Sequence, residues 1–235
     1  MKSFADTHTG LVRKQSEDRY LIKKTDNGSV LLAVADGMGG EPAGDVAAEI
    51  IISKLNGIKP NSDDITQMLV SLVNDANNTI LAKVERNSSL MGMGATLTCA
   101  FLQEGSAHWV HVGDSRLYHV SDNSLIQITK DQNMVQFLLE EGEINIEEAR
   151  CHPARNHLDQ CVGCEDCEPV SGSFKVKKGD LIVLSTDGLH NDVEVSTMES
   201  ILLCKSDIKT KVKMLLSSAL DAGGKDNLTI VISEI

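Results

Sequence analysis

Aromatic side chains are nearly missing from this chain: one Trp, two Tyr and four Phe in 235 residues. A core without rings must be aliphatic, and at 41% hydrophobic the chain has enough such residues for one well-filled core. No apolar run approaches the roughly 18 residues that a membrane span needs. Met1 to Gly10 carries no apolar stretch of the kind that directs secretion. The sequence therefore predicts a cytoplasmic chain whose six cysteines stay reduced. Positive charge is short as well, 22 Lys and Arg against 34 Asp and Glu, for a net charge of −12. That balance argues against nucleic acid or an anionic membrane as a partner. It also opposes phosphate binding, unless cations or a local arginine invert the charge at the site.

What the chain does have is a recurring event. The apolar run Val30-Leu31-Leu32-Ala33-Val34-Ala35 reads as a core strand and stops at a carboxylate, Asp36, followed by Gly37, Gly39 and Gly40. Asp187-Gly188 closes the run 181–186, Gly113-Asp114-Ser115 closes the run 108–112, and Asp226 opens the last run, 228–232. Four aspartates thus stand at four strand ends, each beside a residue that turns tightly. A strand end holds a charged group rigidly, and glycine lets a backbone carbonyl approach an ion.

Between these points the periodicities are ordinary. Strands are expected at 3–8 and around Tyr20, with Asp26-Asn27-Gly28-Ser29 as a hairpin turn leading to the strand that ends at Asp36. Helical spacing follows at 43–55, with Pro42 in its first turn, and from about Asp63 to Arg86. Segments 95–103, 107–112 and 117–120 are joined by short turns and read as an antiparallel meander. Helices are expected at 131–141, 143–151, 194–204 and 208–220, with an irregular stretch from His152 to Pro169. The order implies an α+β chain of antiparallel sheets with helices outside, residues 1–235 forming one domain with a flap at about 141–170.

Glu17, Asp18, Asp36, Asp114, Asp187 and Asp226 are the candidate acidic ligands. Carboxylates that converge repel one another unless they share cations, and an all-oxygen donor set selects hard ions such as Mg²⁺, Mn²⁺ or Ca²⁺. One carboxylate bridging two ions about 4 Å apart suits hydrolysis at phosphorus, with a water between the ions as nucleophile. Arg13 could grip phosphate oxygens as a bidentate fork.

These pieces together closely resemble the protein phosphatase 2C family of metal-dependent serine/threonine phosphatases. The matching motifs are Gly10-Leu11-Val12-Arg13 with Glu17-Asp18, Asp36-Gly37-Met38-Gly39-Gly40, Gly94-Ala95-Thr96, Gly113-Asp114-Ser115-Arg116, Thr186-Asp187-Gly188 and Lys225-Asp226-Asn227. They occur in the family's order across nearly the whole chain, and the compact length resembles the bacterial branch. The resemblance implies a four-layer α-β-β-α sandwich, two antiparallel sheets flanked by helices, with the metal site at one end. It implies two Mn²⁺ or Mg²⁺ ions bridged by Asp36, one completed by the Gly37 carbonyl and the other held by Asp187 and Asp226, with Asp114 and Asp187 holding a weaker third ion. Glu17 and Asp18 would bind or orient metal waters, Arg13 would bind the substrate phosphate, and a metal-bridging water or hydroxide would attack phosphorus directly. The implied partners are phosphorylated proteins, substrates of a serine/threonine kinase, acted on by a monomer.

The chain departs from the family in three places. Ser16 stands where asparagine is usual, 129–133 lacks a common histidine, and His157-Leu158-Asp159-Gln160 replaces a stretch that commonly reads Leu-Thr-Arg. The flap thereby loses a positive side chain and gains a negative one. It also carries Cys161, Cys164 and Cys167 in a C-x₂-C-x₂-C run, with Cys151, His152 and His157 upstream. Such spacing can bind zinc or an iron–sulfur cluster or serve redox chemistry; the alternative is small residues in a variable loop. Cys99 and Cys204 sit in apolar runs and read as core. None of the six cysteines has an arginine six positions later, which sets aside a cysteine-dependent phosphatase. The remaining rival is a non-catalytic regulatory or binding module on a phosphatase fold.

Overall fold

The computed structural model describes residues 1–26, 28–38, 43–59, 64–150 and 152–235, the side chain of Arg150 excepted. In chain order the elements are β1 (Lys2–His8), β2 (Arg19–Lys24), β3 (Val30–Ala35), β4 (Gly37–Met38), α1 (Ala43–Asn56), α2 (Ile65–Arg86), β5 (Gly94–Ala95), β6 (Leu97–Gln103), β7 (Ser106–Val112), β8 (Arg116–Ser121) and β9 (Ser124–Gln127). They continue with α3 (Met134–Glu140), α4 (Ile146–Arg150), β10 (Val170–Lys175), β11 (Leu181–Ser185), α5 (Asp187–His190), α6 (Val195–Leu203), α7 (Ile208–Asp221) and β12 (Leu228–Glu234).

Two five-stranded antiparallel sheets form, in the orders β1-β12-β11-β8-β9 and β10-β7-β6-β3-β2, and β4 pairs with β5 in a small third sheet. The run 30–35 explains the layering. Leu31, Ala33 and Ala35 face a core shared with α1 and α2, which includes Ile51, Leu55, Leu69, Val73 and Ile80. Val30, Leu32 and Val34 point the other way, into the space between the sheets, against Leu117, Ile182, Leu184 and Val231. A strand buried on both faces needs no polar alternation. On the far side, Val183, Ile230 and Ile232 pack against Met198 and Leu202 of α6 and Val212 and Leu215 of α7. The result is the expected α-β-β-α sandwich.

Local chemistry sets the helix ends. Asp64 caps α2 by accepting from the Gln67 amide at 2.9 Å, and Asp207 caps α7 through the Thr210 amide at 2.8 Å. The expected hairpin turn closes with Thr25 N–H donating to the Ser29 carbonyl at 2.9 Å and Gly28 at φ +83°. Asn27, Gly39, Gly40, Pro42, Asp63 and Cys151, named in the expectations, lie outside the described residues. Among the described residues no helix is long and apolar enough to cross a membrane.

Three expectations are corrected, and one strand was missed. The meander breaks after its second strand: β6 pairs with β7, whereas β8 crosses to the other sheet and pairs with β11 and β9. Strand β9 carried no distinct signal. Helix α3 begins at Met134, because Asn133 is its cap and accepts from the Gln136 amide at 3.0 Å; Asp131 and Gln132 are committed elsewhere. Cys204 is half-buried at the end of α6 instead of in a core run, while Cys99 is fully buried as expected.

Candidate metal centre and phosphate site

Register places the aspartates together. Ser185 lies opposite both Arg116 and Ile230, so the end of β11 meets the starts of β8 and β12. In the other sheet Arg19 lies opposite Ala35, and Leu97 opposite Val112, so the start of β2 and the ends of β3 and β7 share one edge. Asp18, Asp36, Asp114, Asp187 and Asp226 therefore emerge at the same end of the sandwich. A cavity of about 300 Å³ opens there, lined among others by Arg13, Glu17, Asp36, Gly37, Asp114, Asp187 and Asp226. Asp18 lies behind this wall, only 4% exposed.

Each carboxylate is held by local structure. The Asp36 amide donates to Thr96 Oγ1 at 3.2 Å, and the Thr96 amide donates to the Asp36 carbonyl at 2.8 Å. A Cβ on Gly37 would stand 2.3 Å from the Gly44 carbonyl oxygen, and a Cβ on Gly44 2.6 Å from Glu17 Oε2. Two glycines thus let the start of α1 press against the site. Asp187 is the first residue of α5, and its Oδ2 accepts from Asn191 Nδ2 at 3.0 Å. Asp18 Oδ2 accepts from Thr186 Oγ1 at 2.8 Å. Asp226 Oδ2 accepts from Arg13 Nη2 at 2.7 Å.

The loop 129–133 holds Asp114 from behind. Gln132 Oε1 accepts from the Gly113 amide at 2.7 Å, and the Gln132 amide donates to the Gly113 carbonyl at 2.8 Å. Asp131 grips Arg116 with both oxygens, at 2.8 and 2.6 Å. These residues are engaged in positioning, which is why the helix cannot start with them.

The electrostatics are those of a crowded acidic site whose carboxylates are largely buried. Burial, then the charges of Asp18, Asp187, Asp114 and Asp226, push Asp36 well above the usual carboxylate range. Asp114 is pushed well up by burial and by Asp187. Asp18 rises to about 7, burial again leading, and Asp187 to about 6 through burial and Asp226. Asp18 Oδ1 and Asp187 Oδ1 are buried without a hydrogen-bond partner. Among the described residues no three His, Cys, Asp or Glu side chains converge as a ready-made cage for one ion. Orphaned oxygens and mutual repulsion nevertheless fit cations that take one or two carboxylates each and complete their shells with carbonyl and water oxygens.

Several organising residues had no assigned role in the sequence reading. Asn227 Nδ2 donates to the Thr9 and Gln15 carbonyls at 2.9 and 3.0 Å, and its Oδ1 accepts from the Glu17 amide at 2.8 Å. It pins the loop carrying Arg13 and Glu17 to the segment that carries Asp226 into β12. Thr96, Thr186, Ser115 and Thr229 are buried hydroxyls in or beside strands. Their signal was present, as hydroxyls interrupting apolar runs, but their partners were not. Asn156 and Leu158 of the flap line the cavity. Cys161, Cys164 and Cys167 do not.

A four-layer sandwich with a desolvated acidic cavity at one edge of both sheets defines the class of protein. The sequence model of the protein phosphatase 2C family matches residues 12–206, and the chain belongs to that family. It is similar to the serine/threonine protein phosphatase PstP of Mycobacterium tuberculosis, 36% identical over 98% of this chain; the chain spans 44% of that relative's length. The serine/threonine phosphatase stp of Listeria welshimeri is 34% identical, over 97% of this chain and 93% of its own. The crystal structure of the M. tuberculosis phosphatase PstP/Ppp superposes with a TM-score of 0.92 at 35% identity, covering 100% of this chain and 98% of that one. A structure of the PstP catalytic domain in complex with two manganese ions has a TM-score of 0.89 at 34% identity, with 99% and 97% covered.

Proposed function

We propose that this chain is a metal-dependent hydrolase of phosphoserine and phosphothreonine on proteins. The observation that carries the proposal is the cavity itself, where desolvated carboxylates converge opposite a rim guanidinium. In this reading Asp36 would be shared by two Mn²⁺ or Mg²⁺ ions, the Gly37 carbonyl would complete the shell of one, Asp187 and Asp226 would hold the other, and Asp114 with Asp187 would take a weaker third ion. Bound ions of this kind supply a water acidic enough to act as nucleophile near neutral pH. Glu17 and Asp18 would bind or orient waters at the ions. Arg13 turns from Asp226 to the substrate phosphate, a planar donor fork matched to phosphate oxygens.

Residues 1–235 act as one catalytic domain, with the flap at about 141–170 bounding the substrate side. The substrates are phosphoproteins made by a serine/threonine kinase, met in the cytoplasm by a monomer. Similarity to phosphatases over the whole catalytic length and the retained acidic set favour this over a non-catalytic module.

The test is phosphopeptide hydrolysis after EDTA treatment, with Mn²⁺, Mg²⁺ and Zn²⁺ added back separately. Activity returning with Mn²⁺ or Mg²⁺ is expected. Full turnover in excess chelator would sink the two-ion reading, and no turnover with any ion would favour the binding module.

A further inference from the structure

The flap cysteines form a constructed turn. Val162 is fully buried, and it exchanges both backbone hydrogen bonds with Ala95 at 2.9 Å. Gly163 sits at φ +121°, where a Cβ would stand 2.6 Å from the Met93 carbonyl oxygen, so only glycine fits. Asn77 of α2 clamps the turn: its Oδ1 accepts from the Gly163 amide at 2.6 Å and its Nδ2 donates to the Cys164 carbonyl at 3.1 Å. Three thiols are gathered by this arrangement. Cys164 Sγ donates to the Cys161 carbonyl at 2.8 Å, and the Cys164 sulfur neighbours both other thiols closely enough to raise the pKa of each. Cys161 Sγ stands 3.1 Å from where a Cβ on Gly94 would be, and Cys167 packs on the α1–α2 core.

The turn is also wired to the acidic cavity. Ala95 pairs with Val162 on one side and with Gly37 on the other. Gly37 follows Asp36 directly, and Leu158, three residues before Cys161, lines the cavity. One short strand thus separates the cysteine turn from Gly37.

We infer that Cys161, Cys164 and Cys167 are a thiol–disulfide modification site, with Cys164 the sulfur shared by either possible bond, and that closing the bond alters the Val162–Ala95–Gly37 ladder. The oxidant is a peroxide. One thiol takes an oxygen from hydrogen peroxide, giving a sulfenic acid and water. The neighbouring thiol then displaces the hydroxyl, which leaves with that thiol's proton as a second water, and the S–S bond forms. Two thiols are oxidised and one peroxide is reduced. Burial, with the neighbouring sulfur, pushes the Cys161 and Cys167 thiols up to about 12. The reaction therefore runs slowly at neutral pH and faster as pH rises, because the thiolate is the nucleophile. In a reducing compartment such a bond is transient and responsive rather than structural.

The experiment is hydrogen peroxide treatment of the whole chain, alkylation of remaining thiols, and peptide mapping without reduction. The expected product is lighter by two hydrogens, restored by dithiothreitol, with Cys164 always in the linkage. Cleavage after Glu165 separates the alternatives, since a Cys164–Cys167 bond holds two peptides together and a Cys161–Cys164 bond lies within one. Cys164→Ser should slow disulfide formation at least tenfold at the same peroxide dose. Amide exchange at Ala95 and Val162 should differ between the reduced and oxidised forms. A linkage that leaves Cys164 alkylatable, oxidation to sulfinic acid without a disulfide, or zinc or iron bound to the purified protein and lost in Cys164→Ser would each overturn the assignment. Unchanged exchange at both amides would overturn the connection to Gly37. None of these readouts depends on hydrolytic activity.

Discussion

Arg13 and Asp226, 213 residues apart in sequence, meet at 2.7 Å through Nη2 and Oδ2. The arginine side chain is 55% exposed on the cavity rim, so the pair adds little to stability; its value lies in where it holds the guanidinium. Arg13→Ala should raise KM for a phosphopeptide by about tenfold, the loss of one charge-assisted phosphate contact, and shift the melting temperature little. Steady-state kinetics check this. Unchanged KM and kcat would remove Arg13 from the site.

Asp36→Asn should lower kcat by several orders of magnitude while the protein stays folded, because an amide cannot bridge two cations. In chelator the variant should melt higher than the parent. The sign follows from the pKa shifts. Asp36, Asp18 and Asp187 are all raised, chiefly by burial. Ionising them is harder in the folded chain than in the unfolded one, so stability falls as pH rises from about 4 to 7. Removing one carboxylate should therefore help more at pH 7 than at pH 5. Retention of more than about a tenth of kcat would show that Asp36 is not the bridge.

Asn227→Ala removes three buried hydrogen bonds across the loop that carries Arg13 and Glu17. A loss of about 2–4 kcal/mol is expected, together with weaker Mn²⁺ binding by calorimetry. Asn227→Asp should fare no better, since it sets acceptors against the Thr9 and Gln15 carbonyls. Parent-like stability and metal affinity in both variants would refute this organising role.

His111 supplies a pH test away from the cavity. Its Nε2–H donates to the Lys130 carbonyl at 3.1 Å, and Nδ1 pairs with Thr98 Oγ1 at 2.8 Å. Burial lowers it to about 4, against the opposing pull of Asp131. The unfolded chain takes up a proton near pH 6.5 that the folded chain refuses, so stability drains away as pH falls from about 6.5 to 4. His190, lowered to about 3 by burial and by Arg116, adds in the same sense. His111→Asn should be less stable at pH 7 yet decline less steeply from pH 6.5 to 5, as read by denaturant midpoints. Parallel declines would refute the assignment.

Replacing Cys161, Cys164 and Cys167 together with serine should leave hydrolysis of a small aryl phosphate within a few-fold of the parent, since none of the three lines the cavity. Phosphoprotein hydrolysis should change more, because a large substrate lies against the flap. Collapse of small-substrate turnover would mean that the flap shapes the catalytic site itself.

Local signals determined a good part of this protein. Helices α1, α2, α6 and α7 followed from apolar spacing, and the all-apolar run 30–35 announced a strand buried on both faces. The aspartates at strand ends could be read as a set because each stands beside a residue that turns tightly, glycine, serine or asparagine, and their order in the chain carried the family resemblance. What the chain could not disclose locally was pairing. Strand β8 looks like the next strand of a meander, but its hydrogen-bonding edge is satisfied by β11, some 60 residues further on. Asp131 and Gln132 continue a helical pattern, yet Arg116 and Gly113 claim them first. Asp18 stands beside Glu17 in sequence, but it is buried behind the cavity, where Thr186 donates to it. Asn227 was one polar letter in a motif until the fold brought Thr9, Gln15 and Glu17 around it. Propensity and periodicity act over a few residues. Hydrogen-bond partners and the burial that raises Asp36 are set by chain segments from opposite ends of the sequence, and only their packing decides them.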